Sequence, residues 1–278
     1  MKIKIYFSLL FCIFLSFKMV SQRLDHRDKM KRGITEERAW WDLLHYDIDV
    51  SIDINNRSIQ GSNTIRYRVI KTASKLQIDL QPPMSIKSIR QDGKPLSYQR
   101  TSSAYVVNMN KVQESGSIEE ITIEFGGVPT ESINPPWDGG FVWDKDKNQH
   151  PFVANANQLL GSSSWLPSKD IPYDEPDQGM QIKLTVPDSL VGVSNGRLIN
   201  HEANPDGTAS YTWKVINPIN GYGINMNIGD YKHFKETYPG ENGILDLDYY
   251  VLPYNLEKAK KQFQQVPKML EAFEHWFG

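Results

Sequence analysis

Cysteine is nearly absent from the chain: one residue, Cys12, in 278. It falls within the first 21 residues. These open with Lys2 and Lys4, run apolar from Ile5 to Phe17 broken only by serines, and close with Lys18 and the small Ser21. That order of basic, apolar and small-residue regions is a secretory signal cleaved before Gln22. The apolar run is too short for a transmembrane helix. Cleavage removes the only thiol, so the exported protein has no disulfide and depends on burial for its stability.

Other standard signatures are missing too. There is no glycine-rich phosphate loop, no G-x-S-x-G elbow and no cysteine nucleophile. The six histidines, His26, His45, His150, His201, His233 and His275, include no pair three to five residues apart, so no helical zinc pair exists. Basic charge is scarce. With the signal removed, the 31 Lys and Arg residues fall to 28 against 33 acids, a net charge of about −5. That argues against nucleic acid as a partner, and against an anionic membrane once the signal is gone. Hydrophobic content of 39% still supports a folded globular protein.

Strand patterning fills most of the chain. Residues 22–38 are charged and unpatterned, a solvated leader. Leu44, Tyr46, Ile48, Val50, Ile52 and Ile54 then alternate with His45, Asp47, Asp49, Ser51 and Asp53. A period of two puts the first set on a buried face. Asn55-Asn56-Arg57 reads as a turn on the tolerance of Asn for the left-handed region. Ile59, Gly61, Ile65, Tyr67 and Val69 make the partner strand. Further strands are expected at Leu76–Leu80, Tyr105–Val107, Ile118–Phe125, Gln181–Val186, Tyr211–Val215, Tyr222–Ile228 and Asp246–Leu252. The fold class is mainly β, an antiparallel saddle-like or sandwich domain.

One helix is expected, after Asn255 as its cap. Leu256, Ala259, Phe263, Val266, Leu270, Phe273 and Phe277 form a single apolar stripe, interrupted by Pro267. Little else helical is available to cover that stripe. Residues 242–278 therefore read as the start of a second domain that is not completed.

The segment "NANQLLGSSSWLPSKDIPYDEPD", Asn155 to Asp177, fits neither pattern. Its acids Asp170, Asp174, Glu175 and Asp177 lack the alternating oxygen ligands of a calcium loop, so solvation and capping are their expected roles. The wider stretch from Pro135 to Gln178, together with "VSNGRL", "TWKVINPINGYGINMNIGDY" and "MLEAFEHWFG", resembles the bacterial secreted branch of the aminopeptidase N family of zinc metallopeptidases. The motifs occur in the family's order from about Ala39 to Gly278.

The resemblance implies a β-domain over 39–235 and the first strand and helix of a thermolysin-like domain over 242–278. It implies that Gln158 stands where the family holds the free α-amine of a peptide, and an amide oxygen can accept from an ammonium. Trp165, Pro167, Lys169 and Asp170 match a tract that implies an aromatic anchor, a rigid turn, and an ion pair fixing the loop against the catalytic domain. Leu159 replaces an expected Gly, and Asn157 an expected smaller residue, so the loop should be shaped differently here. The family's G-x-M-E-N and H-E-x-x-H segments do not occur, and no catalytic residue or metal ligand can be named.

The expected function follows. This is the substrate-side domain of a secreted or periplasmic zinc aminopeptidase-like protein, inactive alone and without a cofactor of its own. Zinc belongs to the family's full-length members. Its partners are peptide N-termini and the missing catalytic domain. Two alternatives stand beside it. One is a non-catalytic peptide- or protein-binding module. The other is a carbohydrate-binding sandwich stacking sugars on Trp137, Trp143 and Trp165.

Overall fold

The computed structural model describes residues 33–278. The expected signal and most of the expected leader lie outside the described residues. The alternating stretch forms β1 (Trp41–Asp53), whose even-numbered side chains from Leu44 to Ile52 are buried. β2 (Ser58–Val69) pairs with it antiparallel, with Tyr46 opposite Ile65 and Ile52 opposite Ile59. The left-handed residue of their turn is Arg57, at φ 49°, rather than an Asn. The Asp53 carboxylate accepts from the Asn56 N–H and side-chain amide at 3.0 and 2.7 Å, which moves the reversal one residue on. Gly61 has no room for a side chain: a Cβ there would lie 1.9 Å from the Asp49 carbonyl oxygen.

The hairpin anchors a mixed sheet rather than a purely antiparallel one. After β3 (Ala73–Asp79) come β4 (Ser85–Gln91), β5 (Lys94–Pro95), β6 (Ser97–Thr101), β7 (Ala104–Gln113) and β8 (Ile118–Gly127). β9 (Gly140–Lys145) and β10 (Pro151–Ala156) form a hairpin not visible in the residue pattern. β11 (Met180–Pro187), β12 (Val191–Ser194), β13 (Arg197–Ala203), β14 (Thr208–Val215) and β15 (Met226–Gly229) follow. The largest sheet runs β13-β14-β11-β1-β2-β8-β4-β5. At its centre β1 and β11 are parallel, Tyr46 opposite Met180. Parallel pairing requires a long crossover, and the Asn155–Asp177 segment is part of it. That segment ends on β1, where the Gln178 N–H donates to the Leu44 carbonyl at 2.8 Å. Smaller sheets, β3-β7-β6 and β12-β15-β10-β9, share one apolar core with the large one, joining Ile78 and Val107 to Ile65, Leu184 and Met226. No helix of the described residues is long and apolar enough to cross a membrane.

Two expected elements differ. The strand over Tyr222–Ile228 begins only at Met226, after a 3-10 turn at Gly221–Gly223. Side chains take the backbone groups that a ladder would use. Asn195 Nδ2 donates to the Gly223 carbonyl at 3.0 Å, and Asn195 Oδ1 accepts from the Asn225 N–H at 2.9 Å. The C-terminal helix is in two pieces, α2 (Leu256–Gln262) and α3 (Val266–Phe277), separated by a 3-10 turn at Phe263–Gln265. Pro267 sits in the first turn of α3, where its missing N–H costs nothing. Asn255 has helical dihedrals and makes no cap bond, because the 3-10 turn Pro253–Asn255 already leads into the helix.

Ahead of β1 lies a further short helix, α1 (Glu36–Ala39), whose Arg38 is fully buried. At the other end β16 (Lys232–Gly240) and β17 (Gly243–Val251) form a hairpin of their own. α3 meets it through Glu274, which accepts from the Tyr238 hydroxyl at 2.6 Å and the Glu241 N–H at 2.8 Å. No residue of α2 or α3 is buried.

Candidate functional site

The polar crossover segment is ordered from within. Gly161, at φ 82°, brings the chain so close to Asp170 that a Cβ would lie 2.2 Å from a carboxylate oxygen. The serines that follow supply donors to that carboxylate: Ser163 N and Oγ at 3.2 and 2.5 Å, and Ser162 Oγ at 3.3 Å. Ser162 Oγ also meets Ser168 Oγ at 2.8 Å. The small-residue run is therefore a carboxylate cradle.

Residues far away in sequence then hold the segment. Gln81 Nε2 donates to the Leu160 carbonyl and to Ser163 Oγ, at 2.6 and 2.8 Å. Asn63 Nδ2, buried on the inner face of β2, donates to the Pro167 carbonyl at 2.9 Å. Asp79 makes a two-way bridge with the backbone of Ser168 and accepts from the Asp170 N–H at 3.0 Å. Its other carboxylate oxygen accepts from Arg38 Nη2 and Gln77 Nε2, at 2.6 and 2.7 Å. Burial pushes the Asp79 carboxyl up to about 6, while Arg38, Gln77 and the Asp170 N–H pull it back.

Trp165 is 1% exposed and meets the Phe141 ring edge-on at 6.4 Å. It is no sugar platform, because both its faces are covered. Trp143 is half-buried and stacked on Phe141, and only Trp137 is freely exposed. The three do not form a common surface.

Lys169 is buried, and its ion-pair partner is Asp174, not Asp170. The ammonium also donates to the Trp41 carbonyl and lies 4.4 Å from the centre of the Trp41 ring. Burial lowers its pKa, and Asp174 opposes the shift. The pair fixes the loop to β1 within the same domain. Asp174 therefore has a structural role that solvation and capping did not anticipate.

The exposed part of the loop is its beginning. Asn157 is buried and its Nδ2 donates to the carbonyls of Tyr222 and Ile224, at 2.9 and 2.8 Å. Gln158 is half-exposed, and its Oε1 accepts from the Tyr222 hydroxyl. Leu159 is 75% exposed at φ 60°, the region that favours Gly. Beside them opens a cleft of about 340 Å³, walled by Leu159, Leu160, Ile171, Pro172 and Tyr222 with Asp170 among its lining. Sequence reading missed Tyr222, Asp79 and Asn63. Only Asn63 left a local signal, a polar residue at an inward position of β2.

The described residues contain no group of three or more His, Cys, Asp or Glu side chains able to hold a metal ion.

The fold and loop define a class: a mixed β-domain that presents a rigid polar loop beside an apolar cleft. The Peptidase M1 N-terminal domain model matches residues 43–222, and the chain belongs to that family. A search of curated proteins finds no match. Among solved structures, an M1 zinc metallopeptidase mutant from Deinococcus radiodurans superposes with a TM-score of 0.70 at 17% identity, over 86% of this chain and 54% of that one. The same protein bound to a Tyr-Ser-Ala substrate gives 0.65 at 16%, over 76% and 47%. A two-domain M1 zinc metallopeptidase mutant bound to L-arginine gives 0.70 at 16%, over 86% and 54%. These likenesses show the fold. The chain spans about half the length of the structures it matches.

Proposed function

We propose that this chain is the substrate-side β-domain of a secreted zinc aminopeptidase-like protein, and that Gln158 helps to hold the free α-amine of a peptide. One observation carries the site. Gln158 stands half-exposed between Asn157 and Leu159, which line an apolar cleft, and is bonded to the cleft-lining Tyr222, on a loop fixed by buried hydrogen bonds and a buried ion pair. An amide oxygen accepts from an ammonium, and apolar walls that exclude water strengthen that bond. The basic, apolar and small-residue order of the first 21 residues supports export.

Residues 39–235 are the β-domain and 242–278 open a second, helical domain. The exposed C-terminal end of the apolar stripe, Phe273 and Phe277, supports that division, while Leu256, Val266 and Leu270 are half-buried and Phe263 stacks on Tyr249. Zinc enters this reading only through the family's longer members. The 278 residues contain neither H-E-x-x-H nor G-x-M-E-N, so no hydrolytic step is assigned to this chain and it is inactive by itself. Purified residues 22–278, assayed on aminoacyl chromogens with added zinc, should show no turnover. Zinc-dependent hydrolysis would overturn this.

A second reading is a non-catalytic module that docks a protein through Phe273, Trp276 and Phe277, all more than half exposed. Sedimentation separates the two. A monodisperse species supports the module. Aggregation relieved by serine at these three positions supports a stripe that another domain normally covers.

A further inference from the structure

Tyr222 is gripped from both ends by consecutive residues of the site loop. Asn157 Nδ2 donates to its main-chain oxygen at 2.9 Å, and its hydroxyl donates to Gln158 Oε1. The first bond fixes the Gly221–Gly223 turn, and the second fixes the Gln158 amide. The ring is half-exposed along the cleft wall.

A phenol that donates its proton keeps its own lone pairs, and the donation polarises them. Gln158 Oε1 also keeps one of its two acceptor positions. Two oxygens with unused acceptor capacity therefore lie side by side, and Tyr222 lines the cleft together with Leu159 and Ile171. An ammonium carries three donors and matches such a pair. A carboxylate finds no cation in the same loop, because Lys169 is buried against Trp41 and Asp174.

We infer that Tyr222 belongs to the amine receptor: its hydroxyl orients the Gln158 amide and supplies a second acceptor for the free α-ammonium of a peptide. The inference rests on the proposed role of Gln158 and adds a ligand to it.

The test is a titration of the exported, ¹⁵N-labelled chain with leucinamide, followed by NMR, with N-acetyl-leucinamide as the control that lacks a cationic amine. Leucinamide should shift the Gln158 side-chain amide and the backbone amides of residues 221–224, and the acetylated control should not. The response should fade as pH rises past about 8, where an α-amine loses its proton. Tyr222→Phe keeps the ring and the main-chain oxygen held by Asn157, so its spectrum away from the cleft should match the wild type.

That variant should bind leucinamide roughly tenfold more weakly, the effect of about one hydrogen bond, and Gln158→Ala should lose binding. Equal affinity of Tyr222→Phe and the wild type, with Gln158→Ala still defective, overturns the inference and leaves the Gln158 reading standing. Wild-type affinity in Gln158→Ala, or a wild-type protein that does not distinguish leucinamide from its acetylated form, overturns both.

Discussion

The site loop and the C-terminal helices invert the usual relation between regularity and order. Residues 157–178 contain one 3-10 turn and no strand, yet Trp165, Leu166, Ser168, Lys169 and Asp174 are buried there and hydrogen-bonded or packed on all sides. α2 and α3 satisfy their backbones internally, yet bury none of their residues. A helix settles its backbone hydrogen bonds locally and needs no neighbour for that. An irregular segment must find partners for every N–H and C=O elsewhere, so it persists only where distant side chains supply them. Of these two regions, the helical one leaves Phe273 and Phe277 exposed, and the irregular one is the more fully buried.

Substitutions can sharpen this contrast. The largest effect is expected in the loop, where Trp165→Ala empties a fully enclosed site and should cost about 3–5 kcal/mol of unfolding free energy in urea. Phe277→Ala removes a comparable ring that is 81% exposed and should change stability by less than about 0.5 kcal/mol. Similar losses at the two sites would break the comparison.

Asp174→Asn comes next. It leaves the Lys169 ammonium buried without its counter-charge and should cost about 3 kcal/mol. The same denaturation series would show it, and a loss as small as that of Phe277→Ala would mean the pair is solvated.

A third prediction concerns pH. Burial holds the Asp79 carboxyl near 6, against an ordinary 3.8. A raised acid binds its proton more tightly in the folded state. Its contribution to stability is therefore complete below about pH 4 and lost as pH rises through 6. Wild-type urea midpoints between pH 4 and 7 should carry that downward component, and Asp79→Asn should remove it. An unchanged slope in the variant would assign the component to other groups.

The smallest effect is a gain. Leu159→Gly relieves a left-handed leucine at an exposed position and should stabilise by about 1 kcal/mol, less the greater freedom of glycine in the unfolded chain. A loss would mean that Leu159 packs on the cleft wall more firmly than its exposure indicates.

Much of the sheet was legible because strand patterning is local. The alternation from Leu44 to Ile54 specifies its buried face without reference to anything else, and β1 follows it. Where the pattern failed, a side chain had replaced a backbone partner. Asn195 and Asn157 hold the turn before Met226, and that segment still reads as a strand by composition. The family motifs implied an ion pair of Lys169 with the adjacent Asp170, whereas the lysine meets Asp174. That partner lies five positions on, and only the path of the loop over Trp41 decides which carboxylate it meets.

The amino-acid order by itself determined that this is a β-protein with an amphipathic C-terminal segment and a polar, proline-punctuated insertion, because periodicity and turn chemistry act over a few residues. Tertiary structure alone decided which insertion residues are sealed and which are offered to solvent. Asn63 reaches Pro167, Asp79 reaches Asp170, and Asn157 reaches Tyr222, across 104, 91 and 65 positions of chain. Hydrogen bonds between groups that far apart leave no periodic trace, because each depends on how whole sheets meet.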